Sequence, residues 1–405
     1  MRNTILKDSD KIETKQGYKK TKIGWIPKDW DVFKYLDVCE FINGKSYKKS
    51  ELLDNGKYKI LRVGNLFTNE NWYYTNDELS ENKYVFENDL MYAWSASFGP
   101  HFWKGEKTVY HYHIWKIIVK QNFSKFFLFY ALEYDVYRIS SNKQGGTMFH
   151  ITKGDMENRL LKVPIINEQK AIANCLSTWD DALVKLDQLI AAKQQLKKAL
   201  MQQLLSGKKR LPGFNGEWEE KLFSDITERV KRKNTEVNDT VVTISAQRGF
   251  VLQEDFFNKR VASSTLLNYT LVHKGEFCYN KSYSNGYPMG AFKRLDDFEK
   301  AVVTTLYICF GLKDSVNSDF MLQYFEAGRM TPGLMRIAQE GGRAHGLLNI
   351  SLPVKIPQLK EQTAIAEVLN TADQEIELLK TQRKQLQAQK KGLMQQLLTG
   401  KKRLK

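Results

Sequence analysis

The chain has 405 residues, and 62 Lys and Arg side chains against 46 Asp and Glu give it a formal net charge of +16. With 42% hydrophobic and 12% aromatic residues and only 8 Pro, it can bury sizeable cores, which excludes a disordered or fibrous protein. The longest apolar run, around residues 126–132, is far shorter than the roughly 20 residues of a membrane-spanning helix, and the polar N-terminus lacks the apolar stretch of a secretory signal. We therefore expect a cytoplasmic protein of several globular units with an anionic partner.

The first part of the chain is predicted to be a mainly β domain. Residues 1–20 read as a flexible basic extension, and residues 21–165 as the domain itself, which opens with the phrase IGWIPKDW. The run 108–119 alternates like a strand and residues 123–139 have a helical pattern, so the fold class is α+β.

Polar and aromatic side chains on glycine-punctuated loops of this domain suit contacts with phosphates and base edges. The candidate DNA-binding residues are Trp94, Ser95, Ser97, Lys104, Lys143, Thr147 and His150. An ordinary exposed loop is the alternative for each of them. His111 and His113 would lie on one face of the predicted strand, but no carboxylate or Cys stands at ligand spacing, so no metal site is predicted.

A long helix is predicted at residues 166–208, between Pro164 and Gly207, because apolar residues alternate in steps of three and four. A second one is predicted at 357–405 by the same pattern. Lysine and arginine interrupt both seams at Lys193, Lys197, Arg383 and Lys390, and these residues are expected to weaken the seam locally and to help set its register. The predicted seam residues are Ile172, Leu176, Trp179, Leu183, Leu186, Ile190, Leu200, Leu204, Ile365, Leu369, Ile376, Leu379, Leu386, Leu393 and Leu397.

The two helices are copies of one another. Residue 168 corresponds to residue 361 and residue 211 to residue 404, a constant offset of 193 without a gap. A seam of this length favours another helix as its partner, so we predict an antiparallel coiled coil with a pseudo-two-fold axis. Packing of each helix on its own domain alone is the alternative.

The second domain, residues 209–356, is predicted to repeat the first. It opens with LPGFNGEW, contains a strand-like run at 301–310 and a helical stretch at 319–327, and closes with a Gly-Gly pair and KIPQLKEQ. Its loops carry the same kind of side chains as those of the first domain. The candidate DNA-binding residues here are Gln247, Arg248, Lys281, Ser282, Tyr283, Asn285, Arg343 and His345.

Two further features of the helices have two interpretations each. Leu189 and Leu196 lie just off the seam and are predicted to contact a partner protein, with burial against the chain's own domains as the alternative. The sequence GKKR follows each helix, at residues 207–210 and 400–403, and suits either phosphate contact or compensation of the helix C-terminus.

Recognisable catalytic motifs are missing. The chain has no G-x-G for a dinucleotide or S-adenosylmethionine loop and no Pro-Pro for the amino-methyltransferase loop. Gly44-Lys45-Ser46 lacks the upstream glycine of a P-loop, since that position is Cys39. Glu219 and Lys221 lack the partner of a nuclease site. We therefore predict no catalytic residues.

The order of two variable domains and two repeated helices, with the motifs NEQKAIA, LMQQLLSGKKRLPGFNGEW, KEQTAIAEVL and LMQQLLTGKKRL, resembles the specificity subunit of type I restriction-modification systems. The resemblance covers nearly the whole chain. It implies two target-recognition domains, each reading one half of a bipartite double-stranded DNA target, and a helix pair that sets the spacer and docks two modification subunits.

The resemblance also implies that the chain has no catalytic activity. Two modification subunits would methylate adenine, and two ATP-dependent restriction subunits would complete an endonuclease. S-adenosylmethionine, ATP and Mg would bind to those partners and not to this chain. Two alternatives remain open: a coiled-coil structural protein that binds DNA without sequence preference, and a nuclease with an unrecognised site.

Overall fold

The structure is a computed structural model that describes residues 15–67, 69–95, 98–141, 151–259, 262, 265–339 and 352–404. The chain forms two compact units: unit 1 comprises Met1–Lys185 and Arg383–Lys405, and unit 2 comprises Leu186–Gln382. Each unit therefore combines a β-rich domain with segments of both long helices. The domain bounds given above remain a prediction, except that Tyr18–Thr21 forms a strand paired with Gly24–Pro27. The predicted flexible extension of residues 1–20 therefore overlaps the ordered domain at its end.

Unit 1 consists of short strands, three helices of 4 to 17 residues and segments of the two long helices. Its elements are β1 (Tyr18–Thr21), β2 (Gly24–Pro27), β3 (Asp31–Lys34), α1 (Tyr35–Val38), β4 (Cys39–Asn43), β5 (Tyr58–Leu61), β6 (Tyr73–Thr75), β7 (Tyr84–Val85), β8 (Leu90–Ala93), β9 (Gly99–Phe102), β10 (Thr108–Tyr110), β11 (Ile114–Val119), α2 (Lys125–Ser141), α3 (Lys153–Asn158), β12 (Leu160–Val163) and α4 (Ile166–Leu204). Single 3-10 turns occupy Lys49–Glu51, Val63–Leu66 and Glu81–Lys83.

Two four-stranded sheets form the frame of unit 1. The first has the order β4-β11-β8-β9, with β11 antiparallel to both neighbours and Ile117 opposite Phe41 and Leu90. The second has the order β6-β5-β10-β7, in which β10 runs parallel to β5 and antiparallel to β7. Strand β12 pairs with β3, and β1 pairs with β2.

Unit 2 contains a similar but not identical set of elements. They are β13 (Glu219–Leu222), α5 (Phe223–Ile226), β14 (Thr227–Arg229), β15 (Val242–Ser245), β16 (Gly249–Leu252), α6 (Gln253–Phe257), β17 (Thr270–His273), β18 (Phe277–Asn280), β19 (Ala291–Arg294), β20 (Lys300–Val303), β21 (Ile308–Leu312), α7 (Ser318–Glu326), α8 (Thr331–Gln339), β22 (Pro353–Ile356) and α9 (Leu359–Leu398).

The sheets of unit 2 have the strand order found in unit 1. The sheet β14-β21-β18-β19 corresponds to β4-β11-β8-β9. The pairs β15-β16 and β17-β20 are joined by a parallel bridge between Val241 and Val302, which reproduces the order of the second sheet. The α+β fold and its internal duplication are thus confirmed, and the duplication includes the domains as well as the helices.

A turn interrupts each of the strand-like runs at 108–119 and 301–310. The prediction that each run forms one continuous strand was therefore wrong. Each run divides into two strands that belong to different sheets: β10 and β11 in unit 1, β20 and β21 in unit 2. The chain turns at residues 111–113 and 304–307 because backbone hydrogen bonds, from Ile114 N–H to His111 O (2.9 Å) and from Tyr307 N–H to Thr304 O (3.2 Å), close a turn there. Alternating side chains cannot reveal such a crossing between sheets.

The long helices are confirmed at α4 and α9. Each is followed within three residues by a glycine with positive φ, +68° at Gly207 and +72° at Gly400, the left-handed conformation that commonly follows a helix. Within the described residues, no helix is both long and apolar enough to cross a membrane.

Inside each unit the two helix segments share a core with the domain. In unit 1, Ile172 and Leu176 of α4 pack in one cluster with Leu397 of α9 and Trp30 of the domain. In unit 2, Ile365 and Leu369 occupy the equivalent cluster with Leu204. All fifteen predicted seam residues are buried or half-buried. The seam thus packs against both the other helix segment and the domain. Buried residues that lie beside the predicted seam, and that the sequence pattern missed, are Leu205, Met394 and Leu398.

Candidate nucleic-acid interface

The loop at residues 94–98 joins β8 to β9 and carries the first group of predicted DNA-binding residues; we name it loop A. Its first residue is fixed in place by two hydrogen bonds: the Trp94 N–H donates to His113 O at 3.1 Å, and the indole Nε1–H donates to Tyr112 O at 2.9 Å. The Trp94 ring also stacks on the buried Trp115, with centroids 5.8 Å apart. Trp94 and Ser95 are both half-buried. Loop A therefore begins from a rigid base.

The turn at residues 111–113, named turn A, lies directly beside loop A. His111 N–H donates to Leu61 O (2.9 Å) and Tyr112 N–H donates to Lys45 O (3.0 Å), so the turn is tied to two other segments. Gly44 allows this approach, because a Cβ there would lie 2.1 Å from Tyr110 O. The imidazoles sit in a turn and not on one strand face as predicted, because the chain changes sheets here. No group of three or more potential metal ligands occurs in the described part of the chain.

Burial lowers the pKa of His111 to about 4, and His113 and Arg62 lower it further by charge repulsion. His111 is therefore a neutral imidazole at physiological pH, with one donor and one acceptor nitrogen. Its ring centroid lies 4.6 Å from that of Tyr112 and 4.9 Å from that of His113. Turn A is thus a compact group of rings with hydrogen-bonding edges.

Lys104 is separated from loop A by the geometry of the hairpin. It follows β9, and Trp103 N–H donates to Asp89 O (2.9 Å), which places this segment at the opposite end of the β8-β9 pair from Trp94. Lys104 is exposed there. The structure does not bring it together with Trp94 and Ser95.

The connection from Lys281 to Gly290, named loop B, occupies in unit 2 the position of loop A. It joins β18 to β19, which correspond to β8 and β9 in the sheet order. Ser282 N–H donates to Asn280 Oδ1 at 3.0 Å, and Tyr283 is 77% exposed. At the other end of the loop, a Cβ on Gly290 would lie 2.2 Å from Asn280 O, so only glycine permits the close return of the chain.

A second segment with predicted DNA-binding residues reaches loop B. The Gln247 side-chain amide donates to Asn285 O at 3.1 Å, and Asn280 Nδ2 lies 3.5 Å from Ile244 O. The exposed Arg248 guanidinium lies over the Phe256 ring, 5.5 Å from its centroid. The structure thus brings together the predicted residues of this unit that it describes: Gln247, Arg248, Lys281, Ser282, Tyr283 and Asn285.

Several predicted DNA-binding residues lie outside the described residues. They are Ser97, Lys143, Thr147, His150, Arg343 and His345.

The arginine and the lysines of each GKKR sequence have different surroundings. Arg403 forms a double hydrogen bond with the buried Glu168, with Nε–Oε1 at 2.6 Å and Nη2–Oε2 at 2.7 Å, and Trp30 Nε1–H donates to the same carboxylate at 2.9 Å. Arg210 holds the buried Glu361 in the same way, at 2.5 and 2.6 Å. Both arginines therefore have a structural role, which neither interpretation of the sequence included. The four lysines of the two clusters remain exposed.

The lysines that interrupt the seam form ion pairs with acids. Within unit 2, Lys197 Nζ lies 2.6 Å from Asp373. The equivalent pair in unit 1 joins Lys390 to Asp180, also at 2.6 Å, and Tyr130 donates its hydroxyl to that carboxylate at 2.7 Å. Because Lys390 is almost fully buried, a shifted helix register would leave its charge unpaired. This geometry supports the register role predicted for them.

Leu189 and Leu196 are 42% and 53% exposed. They are not buried against the chain's own domains, so that alternative is excluded. Both side chains are therefore accessible to a partner protein.

Comparison with known proteins agrees with this geometry. Residues 27–198 match the family model described as the type I restriction modification DNA specificity domain. The MjaVIII specificity subunit of a type I restriction enzyme from Methanocaldococcus jannaschii is 27% identical over 94% of this chain and 94% of its own length. Over nearly its whole length the chain is similar to the specificity subunits of type I restriction-modification systems, and its residues 27–198 match their DNA specificity domain. Specificity subunits are non-catalytic DNA-recognition components.

Other relatives are more distant. The EcoBI specificity subunit of Escherichia coli is 24% identical over 42% of this chain and 37% of its own length. Among solved structures, the S subunit from M. genitalium matches with a TM-score of 0.51 at 16% identity, over 91% of this chain and 96% of that one. A chain from a structure of complex assembly and conformational transition in a type I system matches with a TM-score of 0.57 at 14% identity, over 93% and 99%. At these identities the solved structures support the specificity-subunit fold alone.

Proposed function

We propose that this chain is the specificity subunit of a type I restriction-modification system and reads a bipartite DNA target. One half would be contacted by loop A and its surroundings, and the other by loop B and its surroundings. The observation that carries the proposal is the placement of both loops. They join corresponding strands of two sheets with the same strand order, and both carry hydroxyl and aromatic side chains, to which loop B adds the amide of Asn285. Such groups suit hydrogen bonds to base edges and phosphates.

The test is to map methylated adenines in cells that carry the complete system, with and without this chain. Loss of one bipartite motif supports the proposal, and an unchanged methylome favours a DNA-binding protein without sequence preference. Exchange of residues 212–356 for the second domain of another specificity subunit should change only one half of the motif. A change in both halves would contradict the assignment of one half to each domain.

The long helices are proposed to fix the spacer between the two half-sites. Seven residues added to each helix, between Lys185 and Leu186 and between Gln382 and Arg383, would leave the contacts within each unit intact. At about 1.5 Å per residue, such an insertion adds about 10 Å, or about three base pairs of spacer. A methylated motif that kept its original spacer would refute this part of the proposal.

Leu189 and Leu196 of α4 are proposed to dock the two modification subunits. Those subunits would bind S-adenosylmethionine and methylate adenine. Two restriction subunits would add DNA cleavage that depends on ATP and Mg. Leu189→Ser and Leu196→Ser should weaken co-purification of the modification subunit, because each removes apolar contact area. Leu267→Ser is the matched control, since Leu267 is 54% exposed but lies outside the helices. Equal co-purification by all three variants would exclude this surface.

A further inference from the structure

Each unit has a second element beside its predicted DNA-binding loop, and no candidate residue was assigned to it. In unit 1 this element is turn A. In unit 2 it is the turn at residues 304–307, named turn B, which lies between β20 and β21 where turn A lies between β10 and β11. The hydrogen bonds that close the two turns join residues 111 and 114 in one case and 304 and 307 in the other, at the same offset of 193 that relates the helices.

Most backbone polar groups of turn A form hydrogen bonds within the protein, so DNA would be contacted by the side chains of the turn. His111 N–H, Tyr112 N–H and the carbonyls of Tyr112 and His113 all have protein partners. No described residue forms a hydrogen bond with the Tyr112 hydroxyl, although its ring is held between His111, His113 and Trp94. A phenol held at fixed position can both donate to and accept from a base edge.

Turn B presents apolar groups. Leu306 is 67% exposed, a high value for a leucine that follows a buried strand. The turn is held by Tyr307, whose hydroxyl lies 2.9 Å from Thr243 Oγ1 and accepts the Ile244 N–H at 3.3 Å. Thr243 and Ile244 belong to β15, the strand that leads into Gln247 and Arg248. The rigid frame therefore exposes Leu306 close to the segment that contacts loop B.

We propose that turns A and B determine base specificity: Tyr112 forms hydrogen bonds with a base edge in one half-site, and Leu306 contacts a thymine methyl group in the other. Apolar side chains distinguish thymine in the major groove because its C5-methyl is the one apolar group displayed there. The neutral imidazole of His111 fits a role in base recognition, because it offers one hydrogen-bond donor and one acceptor but carries no positive charge that would attract any phosphate. This inference rests on the proposed function.

The test uses the full complex of the specificity and modification subunits and DNA duplexes that carry its methylated motif. Replacing thymine by deoxyuracil, one position at a time, removes only the methyl group. At one position in the half read by unit 2, binding of the wild-type complex should fall at least about fivefold, and Leu306→Ala should abolish that difference. Val237→Ala is the matched control, because Val237 is 74% exposed and lies away from turn B in the chain.

Turn A is tested by Tyr112→Phe, which removes one hydroxyl and keeps the ring. The variant should lose discrimination at one position of the other half-site by at least about fivefold, while Tyr134→Phe on α2 should not. Thermal melting identifies variants that fail to fold. The replacement of thymine by deoxyuracil is measured with the wild-type complex and does not depend on the folding of any variant. If the wild-type complex recognises no bipartite motif, the proposed function itself fails. If it recognises one, but uracil has no effect and both variants read it unchanged, the function stands and the inference is refuted.

Discussion

The contact between Arg403 and Glu168 offers a quantitative test of how unit 1 is held together. The Glu168 side chain is 3% exposed and that of Arg403 21%, so the pair is largely removed from water. Hydrogen bonding to Glu168 and Asp29 raises the pKa of Arg403, which therefore stays charged at any accessible pH. Arg403→Met would leave a buried carboxylate with the Trp30 indole as its remaining side-chain donor.

Breaking a buried pair by removing one partner costs about 3–5 kcal/mol. Because the Trp30 hydrogen bond remains and Arg403 is partly exposed, we expect the lower end, about 3 kcal/mol. The free energy of unfolding is measured by urea titration, and each variant is compared with the wild type at the same unfolding transition.

The matched control is Lys402→Met, which changes the exposed neighbour and should shift the free energy by no more than about 0.5 kcal/mol. Adding Glu168→Gln to Arg403→Met should recover at least about 1 kcal/mol, because no charge is then buried without a partner. Equal stability of Arg403→Met and Lys402→Met would refute the assignment of a structural role to Arg403.

Further predictions concern glycine and pH. Gly400→Ala should destabilise unit 1 by more than about 1 kcal/mol in urea titration, because Gly400 has φ of +72° and a Cβ there would lie 2.5 Å from Pro27 Cδ. Gly392 lies inside α9, and a Cβ there would contact no other atom, so Gly392→Ala should stabilise unit 1 by up to about 1 kcal/mol. Two substitutions that both stabilise or both destabilise the unit would contradict this account. Burial raises the pKa of Glu133, and the charge of Lys390 only partly opposes this effect. The protonated Glu133 therefore contributes to the stability of the folded state below pH 4.5, the ordinary pKa of the group, and this contribution is lost as the pH rises through the raised pKa of the folded state. Thermal melting should accordingly show that Glu133→Gln gains stability relative to the wild type as the pH rises from 4.5 to neutrality, and parallel pH profiles would exclude this.

The helices could be predicted from the sequence because their signals are local. Apolar spacing, Pro164 and Pro357 before the starts and Gly207 and Gly400 after the ends all lie within the segment that they define. The repeat of the segment without a gap then predicted an internal duplication. Helix α4 begins at the predicted residue and ends four residues before the predicted bound of 208, whereas α9 begins two residues after 357 and ends seven residues before 405.

The role of the helix-end arginines could not be predicted, because it depends on a partner that is distant in the sequence. Arg210 and Glu361 are separated by 151 residues, and Arg403 and Glu168 by 235. A signal was nevertheless present: Arg210 and Arg403, and likewise Glu168 and Glu361, recur at the offset of 193 in both copies. A pair of opposite charges that recurs together in two copies is a candidate for mutual contact.

The turns within the predicted strands were missed for a related reason. Residues 108–119 keep a strand-like composition through the turn, and the change of sheet is imposed by hydrogen bonds to Lys45 and Leu61, which no local pattern contains. The candidate loops were predicted more successfully, since glycine and polar residues at strand ends are a local signal. Whether they bind DNA stays a prediction.

The two copies differ in length and chemistry where DNA recognition is proposed, and this difference bears on the target. From β11 to the end of the following long helix the copies keep the offset of 193, so strands, helix starts and ion pairs recur at matching residues. Loop A has five residues and loop B has ten, although both are anchored on equivalent strands. Turn A carries imidazole and phenol groups, whereas turn B exposes Leu306. Because a common frame presents different chemistry, we expect two half-sites of different sequence, and a target composed of inverted repeats would contradict this reasoning.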